Sequence, residues 1–145
     1  MNKAVYGTHL EAHGQLIAEL FTVNTGYSIT GPFSAMGWVK NGQIAGQVIF
    51  NDYTKANIEI HIYAVGCISR KSIRELYSYV FKELKCSRIT AKPYATNEKL
   101  LQLLERLGFV YECTQEAYYR ENDKDIDAKV YKLMKYNIPK WVLNA

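Results

Sequence analysis

The chain has 145 residues, 48% of them hydrophobic and 22% charged, about one domain's length and enough to bury roughly two-thirds of its unfolded surface. It reads as one folded domain over residues 1–145, without the charge excess of a disordered chain or the length for a second domain. The net charge is +4, no apolar run approaches the ~20 residues of a membrane span, and residues 1–6 lack a signal-peptide core. A cytoplasmic protein is expected.

Cys67, Cys86 and Cys113 form no CxxC and have no His at ligand spacing, so neither a disulfide framework nor a metal site is expected. Residues 66–85 hold five Lys/Arg against two Asp/Glu, which is +3 of the total +4. That concentration points to a local anion site, whereas a nucleic-acid binder spreads basic residues over a face.

Leu10, His13, Ile17, Leu20 and Phe21 recur at helical spacing and predict an amphipathic helix over 10–23, ended by Gly26. Residues 27–33 read as loop. Asn41-Gly42 is the dipeptide best suited to a tight hairpin, because both central residues take positive φ, and it predicts strands at 35–40 and 43–51. Ile58, Ile60 and Ile62 alternate with Glu59, His61 and Tyr63, so 57–63 is a strand with one apolar face and one functional-group face.

Ile73, Leu76, Tyr77, Val80, Phe81 and Leu84 form one wide stripe, which predicts a helix over 70–84. A strand at 87–94 follows, its end unpaired or at an edge because of Pro93. Asn97 opens a helix whose Leu100, Leu101, Leu103, Leu104 and Leu107 face inward, and Gly108 closes it. Strands over 109–119 and 128–135 are separated by a charge-rich segment, 120–127, that reads as a long turn, and the tail from 136 is unassigned. Strand, helix and strand over 57–94 make a right-handed crossover, so the expected architecture is a mixed α/β sheet, mostly antiparallel with one parallel pair.

The run Asn97-Glu98-Lys99-Leu100-Leu101-Gln102-Leu103-Leu104-Glu105-Arg106-Leu107-Gly108-Phe109-Val110-Tyr111-Glu112 resembles the penultimate helix and following strand of the GNAT N-acetyltransferase superfamily. It is most similar to the branch acting on the N-termini of ribosomal proteins, and Ser72-Ile73-Arg74-Glu75-Leu76-Tyr77 through Leu84 is similar to that branch's acetyl-CoA helix. The chain is also similar to short GNAT-like proteins encoded by bacteriophages, which share a Trp near the C-terminus, here Trp141.

The resemblance implies a single-domain GNAT fold, helices on both sheet faces, a splayed parallel pair, and acetyl-CoA as cofactor. It implies direct acetyl transfer to a primary amine on a protein N-terminus, a lysine or a small molecule, in the cytoplasm, that of a host cell if the protein is phage-encoded. It sets Ala64, Cys67 and Ser69 on the positions of the family's Gln/Arg-x-x-Gly-x-Gly/Ala pyrophosphate loop, and Leu104 where a tyrosine often serves as general acid. Those differences imply an alternative: a catalytically degenerate GNAT fold kept as an interaction or virion-associated module.

A pyrophosphate needs converging backbone N–H groups, which a helix N-terminus supplies. Arg70, Lys71 and Arg74 lie in the first turns of the predicted helix, where positive side chains oppose the helix dipole by roughly 0.3–1 kcal/mol each unless an anion is bound. They read as an anion site or as a solvated basic face. Under the resemblance the acetyl-CoA contacts are Ile62, Tyr63, Ala64, Gly66, Cys67, Ile68, Ser69, Arg70, Lys71 and Asn97, with Asn97 equally a helix cap.

Deprotonating an ammonium takes a carboxylate or imidazole at the site, and Glu59 and His61 are the catalytic candidates, each also readable as an ordinary strand residue. Tyr63 lines the acceptor cleft or packs under a helix. His9 and His13 lack a third ligand, and the Tyr118-Tyr119 pair and the scattered tyrosines, without a basic stripe, read as packing or lining a cleft and not as stacking on nucleic-acid bases. An edge strand near the C-terminus leaves homodimerisation open.

Overall fold

In the computed structural model, which describes residues 3–64, 66 and 68–143, the chain begins with β1 (Lys3–Thr8), α1 (Ala12–Thr25), β2 (Ser34–Lys40), β3 (Gln43–Asn51) and β4 (Asn57–Ala64). It continues through α2 (Arg70–Ser78), β5 (Arg88–Ala91), α3 (Glu98–Arg106), β6 (Val110–Glu121), β7 (Lys124–Met134) and α4 (Lys140–Leu143). The strands form one sheet in the order β1-β2-β3-β4-β5-β7-β6, and β4 with β5 is its parallel pair. This is the expected mixed architecture. No helix among the described residues is long and apolar enough to cross a membrane.

The two faces of the sheet hold different interiors. Ile58, Ile60 and Ile62 of β4 meet Ile73, Leu76 and Tyr77 of α2 and Leu101 and Leu104 of α3 in one large core that also takes in Trp38 and Phe50. On the opposite face Ile17 and Phe21 of α1 pack on Ala35 and Ile49 in a smaller one.

The helix ends follow the residue chemistry. Ser69 Oγ accepts the Ser72 N–H at 3.1 Å and caps α2. Asn97 Oδ1 accepts the Leu100 N–H at 3.3 Å and caps α3. Gly108 follows α3 at φ +99°, where an added Cβ would also collide with Asn137 and Pro139. The Tyr77 hydroxyl donates to the Leu107 carbonyl at 2.6 Å and ties α2 to the end of α3.

Several elements differ from the sequence expectation. β1 has no strong alternation and was not expected; it pairs with β2 from Lys3↔Val39 to Thr8↔Ser34. The backbone at its Gly7 touches that of Gly14 in α1, leaving no room for a Cβ on either residue. The stripe over 70–84 is α-helical only to Ser78 and continues as a wider π-helical turn, Tyr79–Glu83, which sets the Tyr79 ring 4.8 Å from Phe50. Leu10 lies before α1 and is 80% exposed.

β5 is shorter than the expected strand at 87–94. The segment 120–127 is no long turn: β6 and β7 pair up to Glu121↔Lys124, and only Asn122 (φ 52°) and Asp123 (φ 62°) make the connection. Both strands carry charges on an exposed hairpin, and that polarity imitates a loop.

Candidate active site

β4 and β5 pair only at Asn57↔Arg88, Ile58↔Ile89 and Glu59↔Thr90. β4 runs on along β3 to Gly46↔Ala64, while β5 stops at Ala91 and reaches Pro93, whose ring offers no N–H to continue a ladder. The chain is handed to β7 instead. Lys129 N–H donates to the Pro93 carbonyl at 3.0 Å, and Ala95 N–H to Asp127 at 2.8 Å. The separation opens a cleft of about 540 Å³, walled by Ile60, His61, Ile62, Tyr63 and Ala64 on one side and by Lys92, Tyr94, Asn97, Leu100 and Leu103 on the other.

At the point of separation Glu59 and His61 come together on the α1 face. His61 Nε2 is 3.4 Å from Glu59 Oε2 and 2.9 Å from Asn51 Oδ1. The amide oxygen only accepts, so Nε2 carries the hydrogen and Nδ1 keeps the lone pair. The imidazole stacks on Tyr27, ring centroids 5.4 Å apart, with the edge of Phe21 nearby.

Burial sets the protonation of both groups. Glu59 is 6% exposed, and loss of water pushes its carboxyl up to about 7, the Lys92 ammonium pulling the other way and Asp52 adding to the rise. Burial holds His61 down to about 4. By the pH at which His61 would charge, Glu59 is already protonated and gives the ring no anion to lean on. Near neutral pH the carboxyl is therefore the group that can take a proton at useful driving force.

The expected acetyl-CoA contacts divide. Ile62, Tyr63, Ala64, Gly66, Ile68 and Asn97 line the cleft. Ser69 is spent as the α2 cap. Arg70 and Lys71 are absent from the lining; Arg70 is exposed, and Lys71 borders a separate hollow with Arg74, whose Nε donates to the Val142 carbonyl at 2.5 Å. Cys67 lies outside the described residues.

Acetyl-CoA pairs an amide-bearing arm with phosphates, and the residues present suit both. Past Glu59, β4 has no strand partner toward the cleft among the described residues, which leaves an edge that an extended amide chain can join. Cations come from residues the sequence did not single out: Lys99 and Arg106 border the cleft, and Lys40 Nζ donates to the Gly66 carbonyl at 2.7 Å.

Lys92 and Tyr27 also escaped the sequence reading, while Tyr119, read there as packing or lining a cleft, does border it. Tyr27 and Tyr119 meet edge to face at 5.9 Å, and the Tyr119 hydroxyl donates to the Lys92 carbonyl at 2.6 Å. No local pattern marks them, because their meeting depends on the α1 exit, the segment after β5 and the middle of β6 converging. Leu104 also borders the cleft, and it has no proton to give.

No protein-family model and no curated protein matches this sequence. Solved structures do match in fold. The ribosomal-protein-S18-alanine N-acetyltransferase of Escherichia coli aligns at 18% identity over 92% of this chain and 94% of its own, with a TM-score of 0.67. Mutant forms of the spermidine/spermine N-acetyltransferase of Vibrio cholerae align at 16% identity over 97% of this chain and 96% of theirs, with a TM-score of 0.74. Against two further solved acetyltransferases, at 23% and 20% identity, the chain spans 62% and 61% of their length. The fold is that of the GNAT acetyltransferases.

Proposed function

We propose that this protein is an acetyl-CoA-dependent N-acetyltransferase acting on a primary amine by direct transfer, with Glu59 as general base. The observation that carries the reading is a buried carboxyl, raised to about 7, set where the parallel strands separate. Placement at the opening of such a pair is the arrangement expected of a ligand site in an α/β sheet. The fold shared with solved acetyltransferases supports it.

Acetyl-CoA, when bound, would supply an acetyl group already activated as a thioester, the new C–N bond replacing its C–S bond and coenzyme A leaving as its thiol with the amine's second proton. Ile62, Tyr63, Ala64, Gly66, Ile68 and Asn97 are the residues proposed to hold it, with Lys99 and Arg106 facing its charged end. Glu59 accepts the ammonium proton of the acceptor, across His61 or through a water, and so releases the lone pair that attacks. Asn51 fixes the His61 ring through Nε2, and Tyr27 stacks against it. The acceptor is a protein N-terminus, a lysine or a small-molecule amine.

The test has two parts. Acetyl-CoA at ten times its dissociation constant should stabilise the protein by about 1.4 kcal/mol in thermal unfolding. Glu59→Gln should keep that stabilisation and lose roughly 10²- to 10⁴-fold in kcat/KM for an amine acceptor. No stabilisation by acetyl-CoA would overturn the reading, and an unchanged rate for Glu59→Gln would remove that residue from its role.

A further inference from the structure

β6 is not a regular strand. Its pairing with β7 jumps from Gln115↔Ala128 to Tyr119↔Ile126, so four steps on β6 span two on β7. In between, Ala117 sits at φ +51° and its N–H donates to Asp127 Oδ1 at 2.9 Å. Neighbouring residues of a regular strand point to opposite faces, but across this bulge Tyr118 and Tyr119 both reach Lys92.

The Lys92 ammonium lies 4.9 Å from the centre of the Tyr118 ring and 3.4 Å from its hydroxyl. Tyr119 holds the Lys92 carbonyl. The two rings meet edge to face at 4.9 Å, and Tyr94 packs on Tyr119 at 4.5 Å. So held, the Lys92 ammonium stands 4.0 Å from Glu59 Oε1, with its side chain 20% exposed.

We propose that Lys92 is a positioning residue that draws Glu59 toward its charged, proton-accepting form, and that the bulge in β6 holds Lys92 there through Tyr118 and Tyr119. The inference rests on Glu59 being the base. Glu59 is also faced by His61 on its own strand, by Asp52 just past β3, and by the phenols of Tyr27 and Tyr119. Among these groups Lys92 alone is a cation at neutral pH, since burial keeps His61 neutral. Without it, Glu59 is left with burial and the Asp52 carboxylate, both of which favour the proton.

The experiment follows the Glu59 carboxyl by carbon-13 NMR in the free protein, which requires no acetyl transfer. Lys92→Met should move the titration midpoint up by about one pH unit, and Lys92→Arg should return it toward the wild-type value. Tyr118→Ala should give a smaller upward shift and Tyr118→Phe, which keeps the ring, the smallest. The acid limb of kcat/KM should follow the same order if transfer occurs. Near-ultraviolet circular dichroism identifies any variant that fails to fold, and Lys92→Gln then replaces Lys92→Met. A midpoint that does not rise in the folded Lys92 variant overturns the inference. A midpoint that rises as expected in a protein that transfers no acetyl group supports the charge coupling and overturns the function.

Discussion

β4 serves two interiors with equal depth and opposite consequences. Toward α2 and α3 it sends Ile58, Ile60 and Ile62, at 3%, 2% and 7% exposure; toward α1 it sends Glu59 at 6% and a largely buried His61. For the isoleucines loss of water is stabilising, by about 2 kcal/mol each on transfer scales. For the two titratable groups the same loss is unfavourable, and neither keeps its ordinary affinity for protons. Hydrophobic burial explains the first face. The second keeps buried titratable groups with displaced proton affinities, which is what the proposed role of Glu59 calls for.

The difference can be broken from the apolar side first. Ile60→Ala should cost about 3 kcal/mol, the usual range for emptying a packed position, and lower Tm by roughly 10 °C. Differential scanning calorimetry decides it. A loss below about 1 kcal/mol would mean that the large core relaxes around the gap, and the contrast between the faces would weaken.

The polar side makes a sharper test through pH. Glu59 binds its proton more tightly folded than unfolded, so its contribution is fully present below about 4.5 and is lost as pH rises through about 7. His61 does the reverse: its contribution is present above about 6.5 and is lost as pH falls through about 4. Between those limits each state holds one proton, on Glu59 when folded and on His61 when unfolded, so the two dependences cancel.

The wild type should therefore show little pH dependence from this pair between pH 4.5 and 6.5. Glu59→Gln should lose stability as pH falls across that window, and His61→Asn as pH rises, each by up to about 1 kcal/mol per pH unit. Urea unfolding at four or five pH values measures the slopes. Parallel slopes in the two variants would contradict the assignment.

The smallest effect belongs to the surface. Arg88 grips Glu112 with two nitrogens, at 3.0 and 2.5 Å, yet both side chains are about a third exposed. Glu112→Gln should cost less than about 1 kcal/mol and less still at high salt. A larger loss in chemical denaturation would show that β5 and β6 are clamped more rigidly than exposed pairs allow.

The alternation of β4, the Asn41-Gly42 turn and the Asn97 and Gly108 helix limits are local signals, and the structure keeps all of them. Glu59 and His61 were legible because period-two spacing puts them on one face. Lys92 and Tyr27 were not, since each is ordinary among its sequence neighbours and gains meaning only from the convergence of distant segments. Arg70 and Lys71 differ in the opposite sense: their clustering is conspicuous in the sequence, and neither lines the cleft.

The contact between Gly7 and Gly14 reaches further than its size suggests. The helix bearing Phe21 is pinned to the first strand near its start, backbone on backbone, and Thr25 lies eleven residues beyond the pin, roughly 16 Å along the axis at 1.5 Å per residue. That makes α1 a lever with its pivot at Gly14. A methyl group there, tilting the helix by about 10°, would swing the far end by about 3 Å, and Tyr27, just past that end, would swing with it. Substitutions at Gly7 or Gly14, which do not line the cleft, can thus tune the gape above His61 while every lining residue stays the same.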